Sequence, residues 1–325
     1  MGDRLKGKDA VVTGGGGGIG RAICLAMAAE GANILVADYG VSMKGEGADA
    51  GPAEKVAAEI KANGGNAVAH FGNVADFKEG EMIVSHCVRD FGRIDILVNS
   101  AGILRERMVW NMTEEDWDAV VAVHLKGSFN LCRHASGLMR QQKYGRIINV
   151  TAEAWRGATG QINYCAAKGG IVSLTRALAR ELGRYGVTAN AIAPLAGTRF
   201  TLRPEIVAAA EKNLAAGLIS QEFYHWQLNM PTPEYVAPLF VYLASDKASN
   251  INGRVFHITK GKVAIYQEPV EQLSMYKADA DGMWTVDDLE KCLPASLLVG
   301  YINPAPAQPA SPTKDERDAV RKGDS

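Results

Sequence analysis

A run of glycines between a strand-like segment and a helix-like segment limits the fold of this chain more than any other feature. Ala10-Val11-Val12 is apolar like a buried strand, and the segment 13–20 then reads Thr-Gly-Gly-Gly-Gly-Gly-Ile-Gly before a helical pattern that runs to Glu30. Glycines let a backbone approach a pyrophosphate, and the start of a helix offers free N–H groups and a positive dipole. A glycine run alone is also typical of a flexible linker. In this strand–helix context it predicts a dinucleotide site, formed by Gly14, Gly18, Ile19 and Gly20.

A carboxylate closes the second strand-like segment. The apolar stretch 33–37 ends at Asp38, where a carboxylate can accept hydrogen bonds from an adenosine ribose and repel a 2′-phosphate. The alternative is an ordinary loop aspartate that caps the next turn. The separation from the glycines, about 20 residues, favours the ribose role. Because no arginine directly follows Asp38, we expect NAD rather than NADP as the cofactor.

The rest of the chain alternates short apolar segments with helical patterns. This alternation predicts an α/β fold, a single doubly wound Rossmann-type parallel sheet of about seven strands with helices on both faces. Ligands of such sheets bind at the carboxyl ends of the strands. A polar insertion, 39–52, follows the second strand, and we expect it to be mobile. The later strands are predicted near 66–71, 94–98, 147–150, 188–193 and 253–258, and the main helices near 53–63, 76–91, 113–142 and 160–185.

Tyr164 and Lys168 lie four residues apart in a helical segment, so they point along the same face. A free tyrosine titrates near ~10, too high for a base at neutral pH. A neighbouring ammonium favours the phenolate, so we expect Lys168 to lower the pKa of Tyr164. Taken alone, the pair is more simply two unrelated residues of an amphipathic helix. The surrounding motifs favour a catalytic pair.

Composition and charge weaken the case for several classes of function. The chain has 325 residues and a formal net charge of −1, which gives no reason to expect nucleic acid or a membrane surface as a partner. The five cysteines are dispersed without metal-ligand spacing, so we expect reduced thiols and no metal site. No apolar run is long enough to cross a bilayer. The charged N-terminal segment does not resemble a signal peptide, and we expect a cytoplasmic protein.

Several motifs, taken in order, resemble the short-chain dehydrogenase/reductase family over about residues 5–265. They are Thr13-Gly14 with Gly18-Ile19-Gly20, Asn99-Ser100-Ala101-Gly102, Tyr164 with Lys168, and Pro194 with Gly197-Thr198. Within that family, the stretches 101–105, 123–129, 143–148 and 192–199 resemble the 3-hydroxyacyl-CoA dehydrogenase domain of the peroxisomal multifunctional enzyme type 2. The insertion after Asp38 also fits that branch.

The resemblance implies a role for each matching residue. Tyr164 would be the acid/base for the substrate hydroxyl, and Lys168 would lower its pKa and hold the nicotinamide ribose. Asp38 would bind the adenosine ribose. The remaining cofactor contacts would be Asn73 and Val74 at the adenine, Asn99, Ala101 and Gly102 along the middle, and Pro194, Gly197 and Thr198 at the carboxamide and pyrophosphate.

The activity implied by the resemblance is an NAD-dependent oxidoreductase that interconverts a secondary alcohol and a ketone. The substrate would be a bulky apolar small molecule, either 3-hydroxyacyl-CoA-like or steroid-like. The resemblance also implies a homodimer or homotetramer in which the helices 113–142 and 160–185 pair across subunits. We expect an interface formed by Val120, Val123, Leu131, Ile171, Leu174 and Leu178.

The chain departs from the family at the serine that hydrogen-bonds the substrate oxygen. Counting thirteen residues back from Tyr164 gives Thr151, whereas counting forward from the fifth strand gives Ala152. We favour Thr151 as the donor, because the count from the tyrosine assumes no deletion. Losing such a donor typically costs ~10²–10³ in rate. The alternative hypothesis is therefore a nucleotide-binding protein with little turnover that serves interaction or sensing. A second departure is His124, where the wider family has asparagine.

Four regions are predicted along the chain. The dehydrogenase domain would span 1–265 and include a substrate lid at 199–232. The aromatic run 223–226 in that lid suggests either a bulky apolar substrate or ordinary packing. An extension, 266–302, would contain a helix that starts at Thr285, and 303–325 would be a disordered tail.

Overall fold

The structure, a computed structural model, describes residues 2–277 and 282–304. Its centre is one eight-stranded sheet with the order β3-β2-β1-β4-β5-β6-β7-β8. All neighbouring strands are parallel except β7 and β8. The strands are β1 (Asp9–Thr13), β2 (Asn33–Asp38), β3 (Asn66–Phe71), β4 (Ile96–Asn99), β5 (Gly145–Val150), β6 (Val187–Pro194), β7 (Val255–Thr259) and β8 (Lys262–Ile265).

Helices cover both faces of the sheet, so the predicted doubly wound α/β fold is confirmed. The helices are α1 (Gly18–Ala29), α2 (Gly51–Ala62), α3 (Phe77–Phe91), α4 (Glu114–Val121), α5 (Gly127–Gln142), α6 (Ile162–Leu182), α7 (Pro204–Ala215), α8 (Gln221–Leu228), α9 (Ala237–Ala244) and α10 (Val286–Ala295).

Burial on both faces explains why the central strands are almost continuously apolar. On one face, Ile23 and Met27 of α1 and Phe240 of α9 belong to the buried core around β1 and β2. On the other face, Ile83 of α3 and Leu131 of α5 belong to a second buried core. The two cores fix the strands between them, so the loops at the carboxyl ends of the strands are held in a fixed arrangement.

The eighth strand was not predicted. It pairs antiparallel with β7 through a tight turn in which Gly261 has a positive φ of 73°, a conformation that glycine adopts without strain. Val263 and Ile265 of this edge strand are 61% and 56% exposed. The strand has only four residues and lies at the edge of the sheet, so its short apolar run alone does not identify it as a strand.

The predicted helix 113–142 is divided into three parts. Helix α4 starts after Thr113, whose side chain accepts a hydrogen bond from the backbone N–H of Asp116. A π-helical turn, Ala122–Lys126, then joins α4 to α5. Such a turn holds one residue more than an α-helical turn, and it is frequently found at functional sites.

The predicted subunit interface is wrong in part. Val120, Leu131 and Ile171 are 0–1% exposed because they pack inside this chain, so they cannot form an interface with a second copy. Their periodicity arises from contact with the sheet and with neighbouring helices. The exposed apolar residues of α4 and α5 include Trp117 and Phe129 instead.

The chain divides into two compact units, one ending at Tyr266 and the other starting at Gln267. In the second unit, Thr285 and Asp288 form the predicted capping box at the start of α10. The predicted domain limits stay predictions, and the predicted disordered tail lies outside the described residues beyond Pro304. Across the described ranges, no helix has both the length and the apolar character needed to cross a membrane.

Candidate active site

A cavity of about 900 Å³ opens at the carboxyl ends of the parallel strands. Loops that follow β1 to β6 form its wall, as expected for a doubly wound sheet. Most residues predicted from the sequence lie in this wall. They are Gly14, Gly18, Ile19, Gly20, Asp38, Asn73, Val74, Ala101, Gly102, Thr151, Ala152, Tyr164, Lys168, Pro194 and Thr198.

The glycines after β1 are required by close backbone approaches. A Cβ on Gly20 would lie 2.0 Å from the carbonyl oxygen of Gly14, and a Cβ on Gly14 would lie 2.8 Å from the Cα of Ala101. At the N-cap of α1, Gly17 has no side chain to occupy the first N–H groups of the helix. These N–H groups and the helix dipole form a cradle that fits a pyrophosphate.

Asp38 is fixed at the end of β2 by two backbone groups. Its Oδ2 accepts a hydrogen bond from the Gly16 N–H at 2.8 Å, and its Oδ1 accepts one from the Gly40 N–H at 2.7 Å. Each carboxylate oxygen retains further capacity to accept. The carboxylate therefore lies in the cavity wall beside the glycine cradle. Its remaining lone pairs can accept hydrogen bonds from the two hydroxyl groups of a ribose.

Two predicted residues, Asn99 and Gly197, are not among those that line the cavity. The Asn99 side chain is buried and donates from Nδ2 to Asn149 Oδ1 at 2.8 Å. The Gly197 N–H donates to the Pro231 carbonyl at 2.7 Å. Both residues brace the loops that form the wall. Thr13 has a similar function, since its Oγ1 accepts hydrogen bonds from the Ser100 and Ala101 N–H groups.

Tyr164 and Lys168 lie together on α6, with Lys168 Nζ 5.4 Å from the centroid of the tyrosine ring. Lys168 Nζ donates to the Val150 carbonyl at 2.6 Å. Burial raises the pKa of Tyr164 above its ordinary value, and electrostatic interactions with Cys165 and Glu106 raise it further. Burial also lowers the pKa of Lys168 to about 7. The predicted downward shift at Tyr164 is therefore reversed, because burial disfavours the charged form of both groups.

Thr151 is buried directly after β5, and its hydroxyl is already in use. Its Oγ1 donates to the Lys168 carbonyl at 2.9 Å, and its N–H donates to the Ile192 carbonyl at 2.8 Å. A hydroxyl has one proton to donate. The hydrogen bond to Lys168 therefore argues against Thr151 as a donor to a substrate oxygen, although that role stays a prediction. Ala152, also in the wall, has only a methyl group to present.

His124 lies in the π-helical turn and contacts the tyrosine. Its ring packs edge-on against Tyr164 with centroids 5.1 Å apart, and its Nε2 lies 2.7 Å from the Ile103 carbonyl. Burial and the charge of Lys168 hold the pKa of His124 well below its usual value, so the ring is neutral. A Cβ on Gly102 would lie 2.4 Å from this ring, which explains the glycine at that position.

The remaining wall around Tyr164 was not predicted from the sequence. Apolar side chains from separate loops contribute to it, and Gln161, Glu106 and Arg203 form a polar group nearby. Glu106 accepts from Gln161 Nε2 at 2.6 Å and pairs with Arg203 at 2.6 Å. Their sequence positions carry no motif that signals this arrangement. The apolar members of the wall include Ile103, Leu104, Val123, Leu195, Phe200 and Ile206.

The aromatic run of the lid does not belong to the described wall. Phe223 and Trp226 lie on α8, are 48% and 42% exposed, and stack on each other with centroids 5.7 Å apart. In this structure the run therefore lies outside the cavity wall, and its role in substrate binding stays a prediction. Within the two described ranges, no group of three His, Cys, Asp or Glu side chains is arranged to hold a metal ion.

The chain is similar to known proteins along most of its length. Residues 8–202 match the family described as short chain dehydrogenase. The peroxisomal multifunctional enzyme type 2 of Mus musculus is 41% identical over 261 residues, which cover 79% of this chain and 32% of that protein. The chain thus spans about a third of the length of that relative. Hydroxyacyl-CoA dehydrogenase ChsB1 of Mycobacterium tuberculosis is 38% identical over 274 residues, 82% of this chain and 81% of that protein.

A solved structure extends this similarity to the fold. The crystal structure of a short chain dehydrogenase from Mycobacterium avium matches with a TM-score of 0.75 and 39% sequence identity. The match covers 95% of this chain and 100% of that chain.

Proposed function

The chain belongs to the short-chain dehydrogenase family, and from that premise we propose that it is an NAD-dependent dehydrogenase of 3-hydroxyacyl thioesters. The family membership makes it an oxidoreductase that acts on CH–OH groups. The observation that carries the proposal is the position of Tyr164 and Lys168 in one wall of the cavity that also contains the glycine cradle and Asp38. This arrangement supports the proposal, because it would bring an acid/base pair within reach of a bound dinucleotide.

The wall fits a nicotinamide dinucleotide in its chemistry. The cradle from Gly14 to Gly20 would hold the pyrophosphate, and Asp38 would bind the adenosine ribose. Bound NAD would supply the acceptor for the hydride that leaves the carbinol carbon. The preference for NAD rests on Asp38, because a 2′-phosphate would meet a like charge held by two backbone N–H groups.

Tyr164 carries the proton transfer in the proposed mechanism. In the oxidation direction, its phenolate takes the hydroxyl proton of the substrate as the C–H bond breaks. In the reduction direction, the neutral phenol returns that proton to the carbonyl oxygen. Because burial raises the pKa of Tyr164, the phenol is the resting form at neutral pH and is ready for reduction. The charged form of Lys168, which is present below a pH of about 7, favours the phenolate.

The substrate class is inferred from the apolar wall and the relatives. Leu104, Leu195, Phe200 and Ile206 offer apolar contacts to an acyl chain. The named hydroxyacyl-CoA dehydrogenase of M. tuberculosis favours a thioester over a steroid. Either substrate would present a secondary hydroxyl next to an apolar group.

The test is a spectroscopic assay of cofactor reduction. Purified protein is supplied with 3-hydroxyacyl-CoA esters of increasing chain length, with a hydroxysteroid as the competing class, and with NAD or NADP. We expect reduction of NAD with the esters and loss of turnover in Tyr164→Phe. Turnover of the steroid alone would contradict the thioester assignment, and full activity of Tyr164→Phe would contradict the mechanism.

A second candidate function is nucleotide binding with little turnover, in a role of interaction or sensing. One observation favours it, namely the Thr151 hydroxyl that is bonded to the Lys168 carbonyl beside the methyl of Ala152. Such a protein would gain thermal stability with NAD yet reduce none of it with any substrate of either class. The same assay plate, read for melting temperature, separates the two candidates.

The assembly and the location remain proposals. We propose a homodimer or homotetramer that uses the exposed apolar side chains of α4 and α5, including Trp117 and Phe129, because their exposure favours burial against a second copy. Light scattering at micromolar concentration tests this, and a monomer mass would contradict it. The cytoplasmic location stays a prediction from the sequence.

A further inference from the structure

The segment between β2 and α2, residues 39–50, forms part of the cavity wall and is tied to the loops that follow β4 and β6. We propose that this segment, the strap, retains the bound dinucleotide and that Arg105 and Arg199 are positioning residues that keep it closed. The inference rests on the proposed function for the identity of the ligand. The strap residues in the wall are Tyr39, Gly40, Val41, Ser42 and Gly45.

The strap has an ordered conformation of its own. The Asp49 N–H donates to the Tyr39 carbonyl at 3.2 Å and closes the base of the loop. A Cβ on Gly40 would lie 1.8 Å from the Asp49 carbonyl oxygen, so the base is closed as tightly as the backbone allows. At the tip, the Ser42 N–H donates to the Glu46 carbonyl at 2.8 Å, and Ser42 Oγ accepts from the Glu46 N–H at 3.1 Å. The expected mobility is therefore limited by a defined set of hydrogen bonds.

The first tie is to the loop that follows β4. The Leu104 N–H donates to the Met43 carbonyl at 2.8 Å, and Arg105 Nε donates to the Lys44 carbonyl at 2.8 Å. The Arg105 guanidinium also pairs with Glu115 at 3.0 Å, which holds it in place. Gly45 is packed so closely that a Cβ there would lie 3.0 Å from the Ile103 side chain.

The second tie is to the segment that leaves β6 and leads into the lid. Arg199 Nη1 donates to the Val41 carbonyl at 2.9 Å. Hydrogen bonds from a charged donor are among the stronger ones, so the two arginine ties dominate the set. All the acceptors are strap carbonyls, so the strap side chains are not part of the ties.

The ties connect cofactor retention to the lid. Arg199 directly follows Thr198, which lies in the cavity wall, and Arg203 in the same segment pairs with Glu106. When this segment moves to admit or release a substrate, the Arg199 tie breaks and the strap is freed. We therefore expect slow dissociation of the dinucleotide while the segment is in place.

The experiment measures the dissociation rate of NADH by stopped-flow fluorescence, with excess NAD as the displacing ligand. Arg199→Ala should raise that rate about tenfold or more, since a charge-assisted hydrogen bond is lost. Arg199→Lys should restore part of the difference because it retains a charged donor. The matched control is Arg184→Ala, which removes an exposed arginine at the opposite end of the sheet, just before β6.

A second readout uses the protein without cofactor. Trypsin cleavage after Lys44 in the strap should become faster in Arg199→Ala and in Arg105→Ala, but not in Arg184→Ala. An unchanged NADH dissociation rate in Arg199→Ala would overturn the inference. Wild type that binds NADH but oxidises no substrate would overturn the proposed activity alone, because dissociation is measured without turnover. Wild type that binds no NADH would overturn both.

Discussion

The wall of the cavity has two parts that are built in different ways. The glycine part, from residues 14–20 and Asp38, is shaped by backbone atoms that approach each other closely. The tyrosine part, around Tyr164, is shaped by side chains from α6, from the loops after β4 and β5 and from the lid. Backbone geometry imposes a narrow choice of residues, and it leaves a motif. Many combinations of side chains can form a wall of this kind, so the tyrosine part leaves a weaker motif in the sequence.

The largest expected effect is at Tyr164, where the two parts meet. Tyr164→Phe should lower kcat by ~10²–10⁴-fold, because the proton of the substrate hydroxyl loses its acceptor. NAD affinity should stay within a few fold of wild type. The matched control is Tyr144→Phe, which removes a partly buried tyrosine hydroxyl bonded to Asp246 at 2.8 Å, away from the cavity. An equal loss of kcat in both variants would point to a structural cause.

The next effect tests which residue occupies the place of the family serine. Ala152→Ser should raise turnover by about tenfold or more, since it adds a donor for the substrate oxygen. Thr151→Ala should cost about 1 kcal/mol of stability through the lost bond to the Lys168 carbonyl, with a small change in kcat. Steady-state kinetics and urea denaturation of both variants check this. A collapse of kcat in Thr151→Ala with stability unchanged would restore Thr151 as the donor.

A single methyl group added at Gly20 should disrupt the glycine part of the wall. Gly20→Ala places a Cβ 2.0 Å from the Gly14 carbonyl oxygen, so the cradle must shift. We expect a loss of ~1–3 kcal/mol in stability and a clear drop in NAD affinity, measured by calorimetry. Gly137→Ala in α5 is the control, because its Cβ would have no described atom within 4 Å and the residue does not line the cavity. Equal effects in the two variants would contradict the close-approach argument.

Asp38 should decide between the two cofactors. Asp38→Ala should weaken NAD binding and strengthen NADP binding. The ratio of the two dissociation constants should therefore fall by about tenfold or more. Asp38→Asn separates charge from hydrogen bonding, because it keeps one oxygen that can accept from Gly16 or Gly40. Calorimetric titration with both cofactors gives the answer. Wild-type protein with equal affinity for NAD and NADP would contradict the assigned role.

The last effect is on the pH dependence of stability. The pKa of Lys168 falls from 10.5 to about 7 on burial. Between these values the unfolded chain binds more protons than the folded one, so this group makes the free energy of unfolding rise with pH across that window. In Lys168→Met this contribution should vanish. Urea denaturation at several pH values across the window measures both slopes, and identical slopes would contradict the low pKa.

The sequence predicted the glycine part of the wall well because sterics leave few alternatives there. Gly14 and Gly20 are required by contacts shorter than a side chain allows, and Asp38 follows a strand that both faces of the sheet bury. The family motifs also led to the prediction that Tyr164 and Lys168 belong to the same site. The predicted strands agree with the structure for the same reason, since a buried parallel strand must be apolar along its length.

The parts that the sequence did not predict depend on contacts between distant segments. Asn99 matches a motif, yet its amide is bonded to Asn149 and is not part of the cavity wall. The run 223–226 is aromatic, but its composition does not indicate whether the rings line the cavity or stack on each other at the surface of α8. The pKa of Tyr164 follows from how deeply the fold buries the ring, and local spacing to Lys168 carries no information about that depth.

The π-helical turn has a consequence for insertions and deletions in this region. One extra residue between α4 and α5 changes the angular register of the two helices by ~100° about their common axis. Deleting any single residue of 122–126 would let an ordinary helix form. That helix would rotate Trp117 and its exposed face relative to the sheet, while α5 stayed anchored by Leu131. Length variation at this point would therefore reorient the whole outer surface of α4 and displace His124 from Tyr164 in one step.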